Sequence, residues 1–199
     1  MRTYLVRHAR TRLSASYRVN GDPSVPVALD DVGIKQCAQL SERALWLKAV
    51  NVCVTSRFAR AAQTADLLLG DTKTVRKIDH RLDEIRYGDF EGCEWRTYGA
   101  WLGEHGPAAV PPGADESWLM AADRLLAGLG SCLAYPSPRL VVGHGILVSL
   151  VQALLDGVES LACDALPEAP YVSPIVLPDD VLAEVVDRGR KLTRQPGHQ

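Results

Sequence analysis

The stretch Thr3-Tyr4-Leu5-Val6-Arg7-His8-Ala9-Arg10-Thr11-Arg12 (TYLVRHARTR) decides how this chain is read. Tyr4, Leu5 and Val6 have the aromatic and branched character of a short buried strand. The strand ends abruptly in an arginine and a histidine, with two more arginines just beyond. Open α/β sheets place their chemistry at such carboxyl strand ends.

Two further segments repeat the pattern. Residues 51–56 (NVCVTS) read as a buried strand that runs into the basic segment RFARAAQTADLLLG, an Ala/Leu-rich helix closed by Gly70. Residues 139–145 (RLVVGHG) read as a third strand, delivering His144 between two glycines and followed by the apolar helix ILVSLVQALLDG. Between these lie a polar loop over residues 11–30 and a helix from Asp30 or Asp31 to about Ala49. A short strand KTVRKI, an irregular insertion or cap over about 81–113 and a helix over about 115–134 follow. YVSPIVLP is the last strand candidate, and the tail from Arg188 to Gln199 reads as frayed. Strands alternating with helices predict a three-layer α/β/α single domain over 1–199, with a mostly parallel central sheet and the small cap. Its strand ends would bring Arg7, His8, Arg57, Arg60 and His144 to one rim.

Composition narrows the class. The 199 residues are 47% hydrophobic, and the net charge of −2 offers no general attraction to nucleic acid or to an anionic membrane. No apolar run reaches membrane-spanning length. Cys37, Cys53, Cys93, Cys132 and Cys163 are scattered and odd in number, and read as small hydrophobes in a reducing, cytoplasmic compartment.

Arginines gathered without matching carboxylates call for an anion, and the planar guanidinium suits phosphate. A neutral histidine beside them can attack phosphorus and divide one difficult displacement into two. The departing alkoxide needs a proton, for which the loop LDEIRYGDFEG offers Glu84 as a candidate, with Asp83, Asp89 and Glu91 beside it. Arginines can neutralise charge on the phosphoryl oxygens, so neither a metal nor a cofactor is required.

LVRHART, TSRFARAAQTA, RLDEIRYGDFEG and VVGHG, in that order, resemble the four sequence blocks of the histidine phosphatase (phosphoglycerate mutase-like) superfamily, phosphatase branch. PPGADES (111–117) and Arg124 extend the likeness, which covers residues 3 to about 177. The resemblance implies that His8 is the phosphorylated nucleophile and that Arg7 and Arg60 bind phosphoryl oxygens. By the same carry-over, His144 is the second histidine of the pocket and Glu84 the general acid. Ser14 stands where many members have Asn near the phosphate, and Tyr87 at a position mutases also use. Ala9 replaces the family's usual Gly, a change that matters if the backbone there needs positive φ. Ile146 likewise replaces a Gly after His144, and Arg57 a frequent Pro.

The expected activity is hydrolysis of a small phosphorylated metabolite through phosphohistidine. Only Arg96 supplies charge in the short stretch between FEG and PPG, which favours water over a bisphosphate-gripping mutase reaction. Mutase-type phosphotransfer and a non-catalytic phospho-ligand module are the alternatives, and a metal-dependent hydrolase built on His8, His144 and Glu84 is a third. Arg10, Arg12 and Arg18 near the mouth suggest a second anionic group on the substrate. Trp95, Tyr98 and Trp101 either line the pocket or anchor the cap, with Trp101 assigned to the core. Oligomeric state is open, with a homodimer among the options.

Overall fold

A computed structural model describes residues 1–161 and 166–194. Four parallel strands, β1 (Arg2–Arg7), β2 (Val52–Thr55), β3 (Val75–Ile78) and β4 (Arg139–Gly143), lie in the order β3-β2-β4-β1. A fifth, β5 (Ile175–Pro178), pairs antiparallel with β1 at the edge. The central strands are buried on both faces, as the apolar runs YLV, VCV and LVV require.

Alternate side chains serve two cores. Leu5, Val54 and Val141 face helices α5 (Trp118–Ser131), α6 (Gly145–Leu155) and α7 (Asp179–Thr193). Tyr4, Val6, Cys53, Leu140 and Val142 face α2 (Asp31–Arg43) and α3 (Ala59–Leu69). The period-2 geometry of a strand thus builds the three layers expected.

Several boundaries differ from the sequence reading. The helix begun at Asp31 ends at Arg43; Ala44 breaks it, and a 3₁₀ turn carries Leu45–Ala49. The 11–30 loop opens with a short helix, α1 (Arg12–Ala15). The irregular cap holds a three-turn helix, α4 (Trp95–His105), whose aromatic face packs Tyr98 and Leu102 into the core. The tail is not frayed at Arg188, because α7 continues to Thr193 and Arg190 pairs with Asp123. Cys37, Cys53 and Cys132 are buried free thiols, and burial pushes Cys53 and Cys132 up to about 12. Cys163 lies outside the described residues.

The register fixes the rim. Arg7 aligns with Gly143 and Thr55 with Val142, so His8, His144 and Ser56 emerge from adjacent strands at one level. The His8 amide donates to the Gly143 carbonyl at 2.9 Å, tying the strand ends that carry His8 and His144 together.

Candidate active site

His8 and His144 are both buried, with ring centroids 5.3 Å apart and planes at 64°. His8 Nδ1 lies 2.8 Å from its neighbour's carbonyl, Ala9 O, an acceptor that assigns the ring proton to Nδ1. The Nε2 lone pair therefore lies on the side of the ring away from that anchor, where it accepts from Arg60 Nε at 3.1 Å. Burial, followed by the charges of Arg60 and then Arg7, holds the His8 pKa well below its ordinary value. His144 is depressed for the same reasons, and its Nε2 meets Ser56 Oγ at 2.8 Å.

Arg60 sits in the first turn of α3, where a cation opposes the helix dipole. Its partners hold it there. Asn20 Oδ1 accepts from one terminal nitrogen at 2.6 Å and the Asn20 carbonyl from the other at 2.9 Å; that second nitrogen also lies 3.2 Å from His144 Nδ1. Asn20 is in turn held by Glu91, whose oxygens accept from Asn20 Nδ2 and the Gly21 amide. A side chain at position 21 would stand 2.0 Å from the Ile85 carbonyl, so glycine is needed for this close approach.

Arg7 is oriented from the other side. Its terminal nitrogens donate to Ala169 O at 2.7 Å and to Tyr171 Oη at 3.3 Å, and the Tyr171 ring covers the guanidinium at 4.0 Å. Arg7 Nε is buried with no acceptor among the described residues. A buried unsatisfied donor is costly, and a phosphoryl oxygen would satisfy it.

Glu84 is buried, accepts from the Ile85 amide at 3.0 Å, and places Oε2 4.0 Å from His144 Nδ1. Burial raises its pKa, against the opposing charges of Arg60, Arg7 and Arg124. Its loop is clamped by Arg124, which donates to the carbonyls of Arg81 and Asp83 and pairs with Glu116. Arg57 is a rim residue, paired with Asp83.

These groups line one cavity of about 550 Å³. Arg7, His8, Arg60, Glu84 and Tyr87 all border it, and His144 stands directly behind them. Ser14 also borders it, but its hydroxyl is engaged with Thr11 in the capping box of α1. Arg10 turns away to Asp30, and of the three loop arginines only Arg18 reaches the cavity, joined by Arg96 of α4. Trp95 lines the cavity while Trp101 packs beside Phe90 and Tyr98, as the core assignment holds. Ala9 is not among the positive-φ residues; its buried amide donates to Thr64 Oγ1 at 3.0 Å, so the missing glycine is not required by φ. Among the described residues no group of three or more His, Cys, Asp or Glu side chains is placed to hold a metal ion, and no helix is long and apolar enough to cross a membrane.

Sequence reading missed Asn20, Ser56, Ala169 and Tyr171. Asn20 and Tyr171 meet their arginines across 40 and 164 residues of chain, and neither belongs to a periodic element. The TS that ends the second strand and the NG dipeptide at 20–21 were the available signals, since both fall where strand ends and loops converge.

Known proteins resemble this chain in sequence and in fold. Residues 3–171 match the family profile described as histidine phosphatase superfamily (branch 1). A Proteus mirabilis protein named "Probable phosphoglycerate mutase GpmB" is 31% identical over 172 residues, covering 81% of this chain and 78% of that relative. The solved structure of mycobacterial glucosyl-3-phosphoglycerate phosphatase with VO3 superposes with a TM-score of 0.70 at 26% identity, over 89% of this chain and 92% of that one. The alpha-ribazole phosphatase of Shigella flexneri shares the fold, with a TM-score of 0.66 at 22% identity over 89% of this chain and 90% of the other.

Proposed function

The chain belongs to the histidine phosphatase superfamily, and on that premise we propose that it is a metal-independent phosphomonoesterase acting on a small phosphorylated metabolite. The observation that carries this reading is the state of His8. Its Nδ1 is anchored on Ala9 O, its Nε2 faces Arg60, and burial among cations keeps the ring neutral.

The reaction follows from those positions. His8 Nε2 attacks phosphorus in line; the N–P bond forms as the bond to the ester oxygen breaks. Glu84, whose pKa burial raises, in its protonated form gives its proton to the departing alkoxide. As a carboxylate it then takes a proton from water, which attacks the phosphohistidine, breaks the N–P bond and releases phosphate. Arg7 and Arg60 border the position where phosphoryl charge develops, with His144 behind Arg60, and His8, Arg60 and Glu84 are buried. The cavity has the size of a small-molecule site rather than a macromolecular docking face.

Hydrolysis of an aryl phosphate in excess EDTA, by wild type and His8→Ala, tests the reading. Activity that survives the chelator and vanishes in the variant supports it, with alkali-quenched wild type carrying an acid-labile, alkali-stable phosphate on histidine. Activity abolished by EDTA overturns it. Interconversion of 2- and 3-phosphoglycerate outpacing hydrolysis would instead favour phosphotransfer.

A further inference from the structure

Tyr17 occupies a backbone position suited to glycine. Helix α1 ends in a Schellman motif: the Tyr17 amide donates to Ser14 O at 3.2 Å and the Arg18 amide to Leu13 O at 3.0 Å. Tyr17 directly follows the C-cap Ser16 and has φ of 54°. In that left-handed conformation Cβ crowds the following carbonyl, which is why glycine is so common there. The tyrosine gains little from burial, since 70% of it is exposed. It does border the active-site cavity. Local stability is lost at a residue facing substrate space, and strain of this kind gathers at ligand sites.

Trp95 is its neighbour across the mouth. The Trp95 amide donates to the Tyr17 carbonyl at 2.6 Å, and Arg18 pairs with Glu94 as an antiparallel bridge, so the two residues are held side by side. The indole rests edge-on against Tyr87, with centroids 6.5 Å apart at 88°, and tilted against Tyr98 at 5.6 Å. It too borders the cavity, which Leu13, Val19 and Ile146 continue as an apolar wall. Arg18 and Arg96 on the same rim offer cations to the face or substituents of a ring.

We propose that Tyr17 and Trp95 form a leaving-group subsite for an alcohol bearing a flat, apolar ring, so that ring-bearing phosphate monoesters are preferred over open-chain ones. This rests on the phosphomonoesterase reading above. The chemistry is unchanged; the rings add attraction for the alcohol half.

The test compares 2-phenylethyl phosphate with n-propyl phosphate, whose alcohols are both primary, so that leaving-group acidity does not decide the ratio. Wild type should show the higher kcat/KM for the ring-bearing ester. Tyr17→Gly should cut that preference roughly three- to tenfold, the scale of an aromatic contact. The same substitution should raise Tm by about 2–4 °C through relief of the left-handed strain, whereas a merely structural Tyr17 would leave the preference unmoved. Tyr17→Phe should keep it, and Trp95→Ala should lower it. Equal kcat/KM for both esters in wild type, or a preference unaltered in Tyr17→Gly, overturns the subsite alone. Failure of wild type to hydrolyse either ester overturns the phosphomonoesterase reading and the subsite with it.

Discussion

Arg60 Nε stands 3.1 Å from His8 Nε2, so the buried cation meets the nucleophilic atom itself and not the anchored side of the ring. The same guanidinium reaches His144 Nδ1 and two acceptors of Asn20. A lysine would retain the charge but not the fork that meets four groups at once. Arg60→Lys should lower kcat/KM by about 10²–10³, the scale of losing an oriented donor to developing charge. Steady-state kinetics check this, and a loss below tenfold would mean that charge alone suffices.

Asn20 bridges Arg60 to Glu91, so it should govern phosphate affinity without touching the nucleophile. Asn20→Ala leaves the guanidinium with fewer acceptors and freer to swing. We expect about a tenfold weaker inhibition by inorganic phosphate, with Glu91→Gln in the same direction. Unchanged phosphate inhibition in both variants would remove this positioning role.

The legibility of the fold varied with how local the cause was. The strands around Leu5, Val54 and Val141 were readable because burial on both faces leaves continuous apolar runs, and α3 because its apolar spacing and Gly70 mark both body and end. His8 and His144 are legible as residues that immediately follow strands, and Arg60 as one in the first turn of the helix after β2. Helix α4 was hidden because Gly99 and Gly103 depress its helix propensity, while its stability comes from Tyr98 and Leu102 packing into the core. Sequence proximity puts Arg10 near the mouth but says nothing of direction; Asp30, twenty residues on, draws it away. Tyr17 was invisible as a strained residue, since only the end of α1 in space places it beyond a C-cap.

The redirection of Arg10 has a measurable consequence. Its ion pair with Asp30 is partly exposed and worth about 0.2–1 kcal/mol. Arg10→Ala should therefore cost modest stability and leave the KM ratio between mono- and di-anionic substrates unaltered. Arg96→Ala, which removes a cation from the cavity wall, should raise KM selectively for substrates with a second anionic group. A selective rise in Arg10→Ala instead would contradict the observed pairing.

Ala9 replaces the family's usual glycine without adopting positive φ, and it is fully buried. Ala9→Gly should bring no catalytic gain, and it should destabilise by about 0.4–1 kcal/mol through the added freedom of the unfolded chain. Urea denaturation alongside kinetics would show it. Higher activity in the variant would mean that the methyl group obstructs the site.

Glu84 and His8 together set the pH dependence. Burial raises the Glu84 pKa above its ordinary 4.5 and lowers that of His8 below 6.5. The active form needs Glu84 protonated and His8 neutral. Lowering pH through 6.5 should therefore not silence the nucleophile as it would a solvent-exposed histidine. Raising pH through the elevated Glu84 pKa removes the general acid, so kcat/KM for alkyl phosphates should fall on that side. Glu84→Gln should slow alkyl phosphates by about 10²–10⁴ and abolish the alkaline limb attributable to this proton. It should slow p-nitrophenyl phosphate far less, because that leaving group departs without a proton. Equal losses for alkyl and aryl esters would show that Glu84 acts through charge or packing and is not the proton donor.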